Sequence, residues 1–139
     1  MATPQLPPLP FPAQDGFPAL LGLVFETFED DVVTASFEIR DDLKQPAGLL
    51  HGGVLAAVAE TLASFATFFA VAGDDQAAMG LSNHTSFLRP LTAGTVHAEA
   101  RVRHRGRTTW VWDVDFTGED GRLAATTRMT VAVRSTQPR

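Results

Sequence analysis

From residue 53 to residue 72 the chain carries a single charge, Glu60, among apolar and small side chains, with Thr61, Ser64 and Thr67 as the only hydroxyls. This run predicts one long helix, from about Gly53 to Ala72, ended by Gly73 in the way helices commonly end. Its length and apolarity raise the question of a membrane span. Much of the apolar content is alanine, however, and a carboxylate at mid-span is expensive in lipid, so a buried central helix and no membrane association are expected. Beyond Gly73 the pattern changes period. Met79–Arg89, Thr95–Arg105, Thr108–Thr117 and Arg122–Arg134 read as four strands, separated by Pro90–Gly94, by Gly106, and by Gly118-Glu119-Asp120-Gly121. Alternation is clear where Trp110, Trp112, Val114 and Phe116 point one way and Asp113 and Asp115 the other. Ahead of the helix, Leu21–Phe28 and Val32–Ile39 flank the acidic turn Glu29-Asp30-Asp31 and predict a hairpin, while Asp41–Leu50, with Pro46 and Gly48, predicts a loop. Residues 1–18 hold six prolines, which exclude helix or central strand and predict a mobile or surface-draped arm. Short turns demand antiparallel pairing. One apolar helix with an antiparallel sheet wrapped around it gives an α+β domain over residues 19–135.

Composition and charge narrow the function. The 139 residues suit one domain with a real core, and 45% apolar content argues against disorder. A formal charge of -5 argues against nucleic acid or an anionic membrane as partner. The distribution says more: only Arg40 of the arginines precedes residue 89, while Asp30, Asp31, Asp41 and Asp42 crowd the first half. A locally basic surface on an acidic protein suits a small polyanion. The chain has no cysteine, which excludes disulfides, thiolate chemistry and cysteine metal sites. The N-terminus shows no basic segment followed by an apolar one, so a cytoplasmic location is expected. His84, His97 and His104 fall on strands without metal-ligand spacing and read as surface or interface residues, and no metal or cofactor is expected.

The chemistry concentrates in Gln45-Pro46-Ala47-Gly48-Leu49-Leu50-His51-Gly52-Gly53 and the helix that follows. Two glycines ahead of a helix let the chain turn sharply and let a ligand approach the backbone. They also leave free N–H groups at the positive end of the helix dipole, where a thioester carbonyl can be polarised and its oxyanion held. An anion-binding or purely structural turn is the plainer alternative. Glu60 is the lone carboxylate of an apolar helix, a costly placement unless it is hydrogen-bonded or used. The competing possibilities are a satisfied buried glutamate or one in an exposed stripe. Ser64 follows one turn later on the same face, within reach of Glu60 or a water.

His-Gly-Gly followed by a carboxylate nine residues after the histidine resembles the PaaI-type thioesterases, which have the hotdog fold. The glutamate version is most similar to the 4-hydroxybenzoyl-CoA thioesterases of the Arthrobacter type and the 1,4-dihydroxy-2-naphthoyl-CoA hydrolases, and also looks like the enterobactin proofreading thioesterases. Gln45, six residues before His51, and Ser64, four after Glu60, match that pattern, as do Gly80-Leu81, Leu88-Arg89-Pro90, Gly106-Arg107 and Gly121-Arg122-Leu123-Ala124. Phe87 stands where some relatives carry a histidine. The resemblance covers residues 20–134. It implies hydrolysis of an acyl-CoA, with an aromatic or bulky acyl group expected, the Gly52 amide on the thioester oxygen, and Gln45 and His51 positioning the carbonyl or the leaving thiol. Glu60 then acts as nucleophile or general base, and Ser64 orients Glu60 or the water. A hotdog-type hydratase or dehydratase, or an acyl-CoA-binding module without turnover, are the alternatives. The first lacks a second carboxylate–histidine pair, and the second has no use for Glu60.

Arg101, Arg103, Arg105 and Arg107 alternate, so an unbroken strand would put all four on one face. Arg101 and Arg103 are expected to pair with Asp113, Asp115 or Glu99 on a solvated face. Arg89 and Arg107, with Gly53 and Gly106, are the expected contacts for CoA. Spacing adds a last expectation. Nine residues of helix set Glu60 about 13 Å beyond His51, too far to attack a carbonyl held at the terminus of its own helix. A homodimer with two shared sites satisfies both groups, and the resemblance implies that two such dimers form a tetramer.

Overall fold

A computed structural model describes residues 15–29 and 31–139. Residues 1–14 of the expected arm lie outside the described residues. The end of that segment departs from expectation, because Gly16–Leu20 forms a short helix, α1. Pro18 is tolerated there because it stands in the first turn, where a backbone N–H has no helical partner anyway. Leu21, directly after it, is buried and ties this entry to the core.

Six strands form one antiparallel sheet: β1 (Val24–Glu29), β2 (Val32–Glu38), β3 (Gln76–Phe87), β4 (Thr95–Arg105), β5 (Thr109–Thr117) and β6 (Leu123–Ser135), in the order β1-β2-β4-β5-β6-β3. β1 and β2 are the predicted hairpin, with Glu29 opposite Val32. The long helix α2 spans Gly52–Val71. It buries Leu55, Val58, Ala59, Leu62, Ala63 and Ala66, the three- and four-residue spacing that makes one apolar face. Against this face stand Val96, Ala100, Val114, Phe116, Ala125 and Val131 of the sheet, each fully buried. Burying one side chain of the size of Leu62 stabilises by about 1.5–3 kcal/mol. The alanines let the sheet curl closely around the helix. One polar pair bridges the two layers: Trp112 Nε1 donates to Thr67 Oγ1 at 2.9 Å, and that hydroxyl donates to the carbonyl of Ala63 at 2.7 Å.

Two expectations need correction. A 3₁₀ turn, Ala72–Asp74, prolongs α2, so the left-handed residue is Asp75 (φ 55°) rather than Gly73. Aspartate is among the few side chains that tolerate this conformation. Its carbonyl accepts both the amide and the hydroxyl of Thr136, which moors the turn to the end of β6. The arginine row is also broken. A bulge between Val102 and His104 shifts the alternation of β4. Arg101 and Arg103 stay on the outer face, paired with Glu99 and Asp113 as expected, but Arg105, exposed and paired with Asp31, lies over the ring of Trp110, 4.4 Å from its centre. Arg107 lies past the end of β4, in the turn to β5.

β3 closes one side of the sheet and pairs only with β6. Six consecutive residues, Met79–His84, are exposed on both faces of this strand, including Met79 at 56% and Leu81 at 58%. A long unpaired edge carrying apolar side chains is a ready surface for another chain.

Candidate active site

The loop ahead of α2 is tied down at both ends. Lys44 and Leu50 form an isolated antiparallel bridge, the His51 amide donates to the Leu43 carbonyl at 2.9 Å, and the Leu50 amide donates to the Leu91 carbonyl at 2.8 Å. The turn between them is made by Gly48 (φ 85°), with its amide on the Gln45 carbonyl. Gly52 and Gly53, expected to make a sharp turn, are instead the first two residues of the helix. What glycine provides at 52 is room. A Cβ there would lie 2.7 Å from two ring atoms of Phe87, so the ring sits directly on the Gly52 backbone.

His51 is the N-cap of α2. Its Nδ1 accepts the Gly53 amide at 2.8 Å, which places the proton of the neutral ring on Nε2 and makes that nitrogen a donor. The Val54 amide donates to the His51 carbonyl at 3.0 Å. Among the described residues the Gly52 amide has no acceptor, so it is the free donor at the positive end of the helix. Gly53, expected to touch CoA, has its amide engaged by His51. The Gln45 side chain is half committed: Oε1 accepts the Ala47 amide at 2.7 Å, and Nε2 is unpartnered among the described residues.

These groups border a cleft of about 690 Å³. Its polar side chains are Gln45, His51 and Arg89, and its walls are Leu49, Leu50, Leu55, Phe87, Leu88 and Leu91. Arg89 stands at the rim, 3.9 Å from Asp120. The other expected residues lie elsewhere. Glu60 is not part of the cleft and is exposed, so within one chain it is not the dry carboxylate that the apolar helix suggests. Its carboxylate rests over β3, where a Cβ on Gly80 would come within 3.2 Å of Oε1. Ser64 is half-buried one turn further on and makes no hydrogen bond to Glu60. Gly106 and Arg107 lie at the β4–β5 hairpin, where Thr108 contacts Val133 of β6, beside the start of β3. Phe87 and Arg89 belong to the opposite end of that strand. His84, His97 and His104 are exposed, and among the described residues no cluster of His, Asp and Glu has metal-binding geometry.

The predicted site thus falls into three places: the cleft with Gln45, His51, Gly52, Gly53 and Arg89; the middle of α2 with Glu60 and Ser64; and the far hairpin with Gly106 and Arg107. Sequence reasoning missed Gly80, which makes room for the carboxylate, and Phe87 as the cover of Gly52. It also missed Asn83, whose Nδ2 donates to the Ala56 carbonyl at 2.9 Å and ties β3 to α2. The only signal for Gly80 was its place in the resemblance.

The family model for the thioesterase superfamily matches residues 47–125. The esterase PA1618 of Pseudomonas aeruginosa is 40% identical over 131 residues, which cover 94% of this chain and 90% of that protein. A crystal structure of a variant of it, described as a thioesterase, matches with a TM-score of 0.83 over 87% of each chain. The thioesterase HI1161 of Haemophilus influenzae is 32% identical, with a TM-score of 0.81 over 86% of this chain and 83% of that one. The PaaI protein of Escherichia coli, 24% identical with a TM-score of 0.75 over 84% of this chain and 83% of that one, shares the fold. The chain belongs to the thioesterase superfamily: it has the hotdog fold and is a thioester hydrolase.

Proposed function

We propose that this protein hydrolyses the thioester of an aromatic or other bulky acyl-CoA to the free acid and CoA, as a cytoplasmic homodimer with two shared sites, two dimers forming a tetramer. The observation that carries this is the unpartnered Gly52 amide at the N-terminus of α2, set in an apolar cleft beside two further donors, Gln45 Nε2 and His51 Nε2. A thioester carbonyl laid against this amide gains a hydrogen bond that strengthens as its oxygen becomes an oxyanion. Glu60 supplies the negative group. As a nucleophile it adds to the carbonyl carbon, expels CoA thiolate and leaves a mixed anhydride that water opens. As a base it takes a proton from the water that attacks instead. Ser64 orients Glu60 or that water.

The carboxylate comes from the neighbouring chain. Eight residues of α2 separate Gly52 from Glu60, about 12 Å along the axis, and Glu60 lies beside the free edge of β3. A two-fold axis at that edge sets two α2 helices in opposite directions, so each Glu60 reaches the partner's cleft. The same axis carries the Arg107 hairpin toward the end of the partner that bears Arg89, where both meet the phosphates of CoA. One further fact supports the pairing of residues. The Staphylococcus aureus relative SAV0944 was crystallised as a Gln-to-Ala variant and as a Glu-to-Ala variant, and the two positions stand fifteen apart, as Gln45 and Glu60 do.

Subunit mixing tests the proposal. Glu60→Ala and Gln45→Ala proteins are each expected to be nearly inactive on a panel of aryl- and alkyl-CoA esters. After exchange, mixed dimers hold one intact site, and activity should rise toward half the wild-type value per mixed dimer. No recovery despite demonstrated exchange, or full activity in an isolated monomer, sinks the shared site. Failure of the wild-type protein to turn over any ester of the panel sinks the acyl-CoA substrate.

A further inference from the structure

The wall of the cleft has an uneven chemistry that the proposed hydrolysis does not require. Phe87 ends the edge strand β3 with its ring on the Gly52 backbone, in the space that a Cβ at position 52 would need. Yet Phe87 is 59% exposed, so one side of the ring touches the residue with the free amide and the other side is open to the cleft. Around it stand Leu49, Leu50, Leu55, Leu88 and Leu91. The polar complement is one-sided. Of the two acceptor atoms that the cleft's polar side chains bring, His51 Nδ1 is taken by the Gly53 amide, and Gln45 Oε1 accepts the Ala47 amide with one of its two lone pairs. What this chain has left is chiefly donors: Gln45 Nε2, His51 Nε2 and the Arg89 guanidinium, against one lone pair of Gln45 Oε1. These donors suit a thioester oxygen, a thiolate and phosphates. A hydroxyl on an acyl group laid against Phe87 would leave water to face leucine side chains rather than an acceptor, a loss that disfavours its binding.

We propose that Phe87, seated on Gly52, is the residue that positions the acyl group and selects for acyl groups without hydroxyl or charged substituents. The inference rests on the acyl-CoA reading above and adds to it the chemical class of the acyl group and the pair of residues that sets it. An unsubstituted aryl or alkyl group lies flat on the open ring face and keeps the carbonyl at the Gly52 amide. A pocket of this kind discriminates against an added hydroxyl by about ten- to a hundredfold. Glycine at 52 is part of the device, because any side chain there would push the ring from its seat.

Binding of two non-hydrolysable CoA thioethers separates the possibilities. Each carries a ketone in place of the thioester, one ending in phenyl and the other in hydroxyphenyl. Calorimetry on the wild-type protein should show the phenyl analogue bound about ten- to a hundredfold more tightly. Phe87→Ala should lose most of that preference, chiefly by weakening the phenyl analogue. Because residue 87 is exposed, the variant should keep its circular dichroism spectrum and its elution position. Gly52→Ala should show the same loss, and the double variant Gly52→Ala/Phe87→Ala should be no less selective than Gly52→Ala alone, since the first change already displaces the ring. Equal binding of both analogues to wild type overturns the selectivity. A preference that survives Phe87→Ala overturns the role of the ring. Binding of neither analogue to folded wild-type protein overturns the acyl-CoA reading itself, which is a different result from the other two.

Discussion

Glu60 and His51 contribute to the same proposed reaction in ways that substitutions can tell apart. Glu60 is exposed and, among the described residues, makes no hydrogen bond or ion pair where it rests over Gly80, so Glu60→Gln preserves shape and removes only charge and basicity. We expect kcat to fall by about 10²–10⁴-fold, with an unchanged melting temperature, in a steady-state assay. His51 has two separate jobs, as a cap through Nδ1 and as a donor through Nε2. Asparagine retains an acceptor suited to the N-cap, whereas alanine does not, and losing a cap destabilises by about 0.5–2 kcal/mol. His51→Asn should therefore be more stable than His51→Ala in urea titrations while being comparably slow. Equal stability of the two variants would mean that the Gly53 amide does not need its acceptor. At this scale the sequence was only partly legible. His-Gly-Gly marked a helix N-terminus with a free amide, but which amide is free depends on the imidazole taking Gly53 and leaving Gly52. Whether Glu60 is dry or wet depends on what lies across the β3 edge, and helix periodicity carries no information on that.

At the scale of elements, the strand boundaries followed from alternation and turn residues to within about three positions, and α2 from its lack of charge. What escaped were interruptions of period. The bulge at Val102–His104 has no glycine or proline to announce it, and it sends Arg105 onto Trp110 while Arg101 and Arg103 keep to the outer face. On that face Asp113 also pairs with Arg128, and its hydrogen bond and charge raise the guanidinium above its ordinary range. The contact between α2 and β5 gives an independent test of the fold. Thr67→Val keeps the shape but leaves Trp112 Nε1 buried without an acceptor, which should cost about 1–3 kcal/mol in chemical denaturation. Both tryptophans of the chain are Trp110 and Trp112, so their fluorescence follows this contact directly. A loss below a few tenths of a kcal/mol would show that water replaces the hydroxyl.

For the whole molecule, the separation of the expected site residues into three places within one chain is what no local pattern revealed, although the distance along one helix already hinted at it. If the Arg107 hairpin and Arg89 meet the phosphates of one CoA, then raising salt should weaken full CoA esters more than pantetheine thioesters, because screening acts on phosphate contacts. Parallel salt dependence in KM for the two substrates would assign these arginines to the surface alone. The bare edge of β3 has a kinetic consequence as well. If, as proposed, the site is assembled from two chains across this edge, an isolated chain carries no complete site and no activity. Specific activity should stay constant while the protein is concentrated, then fall in proportion to concentration once dilution passes the dissociation constant of the dimer. Leu81→Asp, by putting a charge on the exposed edge, should move that threshold to higher protein concentration without changing the plateau above it. The dilution curve of the enzyme would then measure how tightly two strands hold each other.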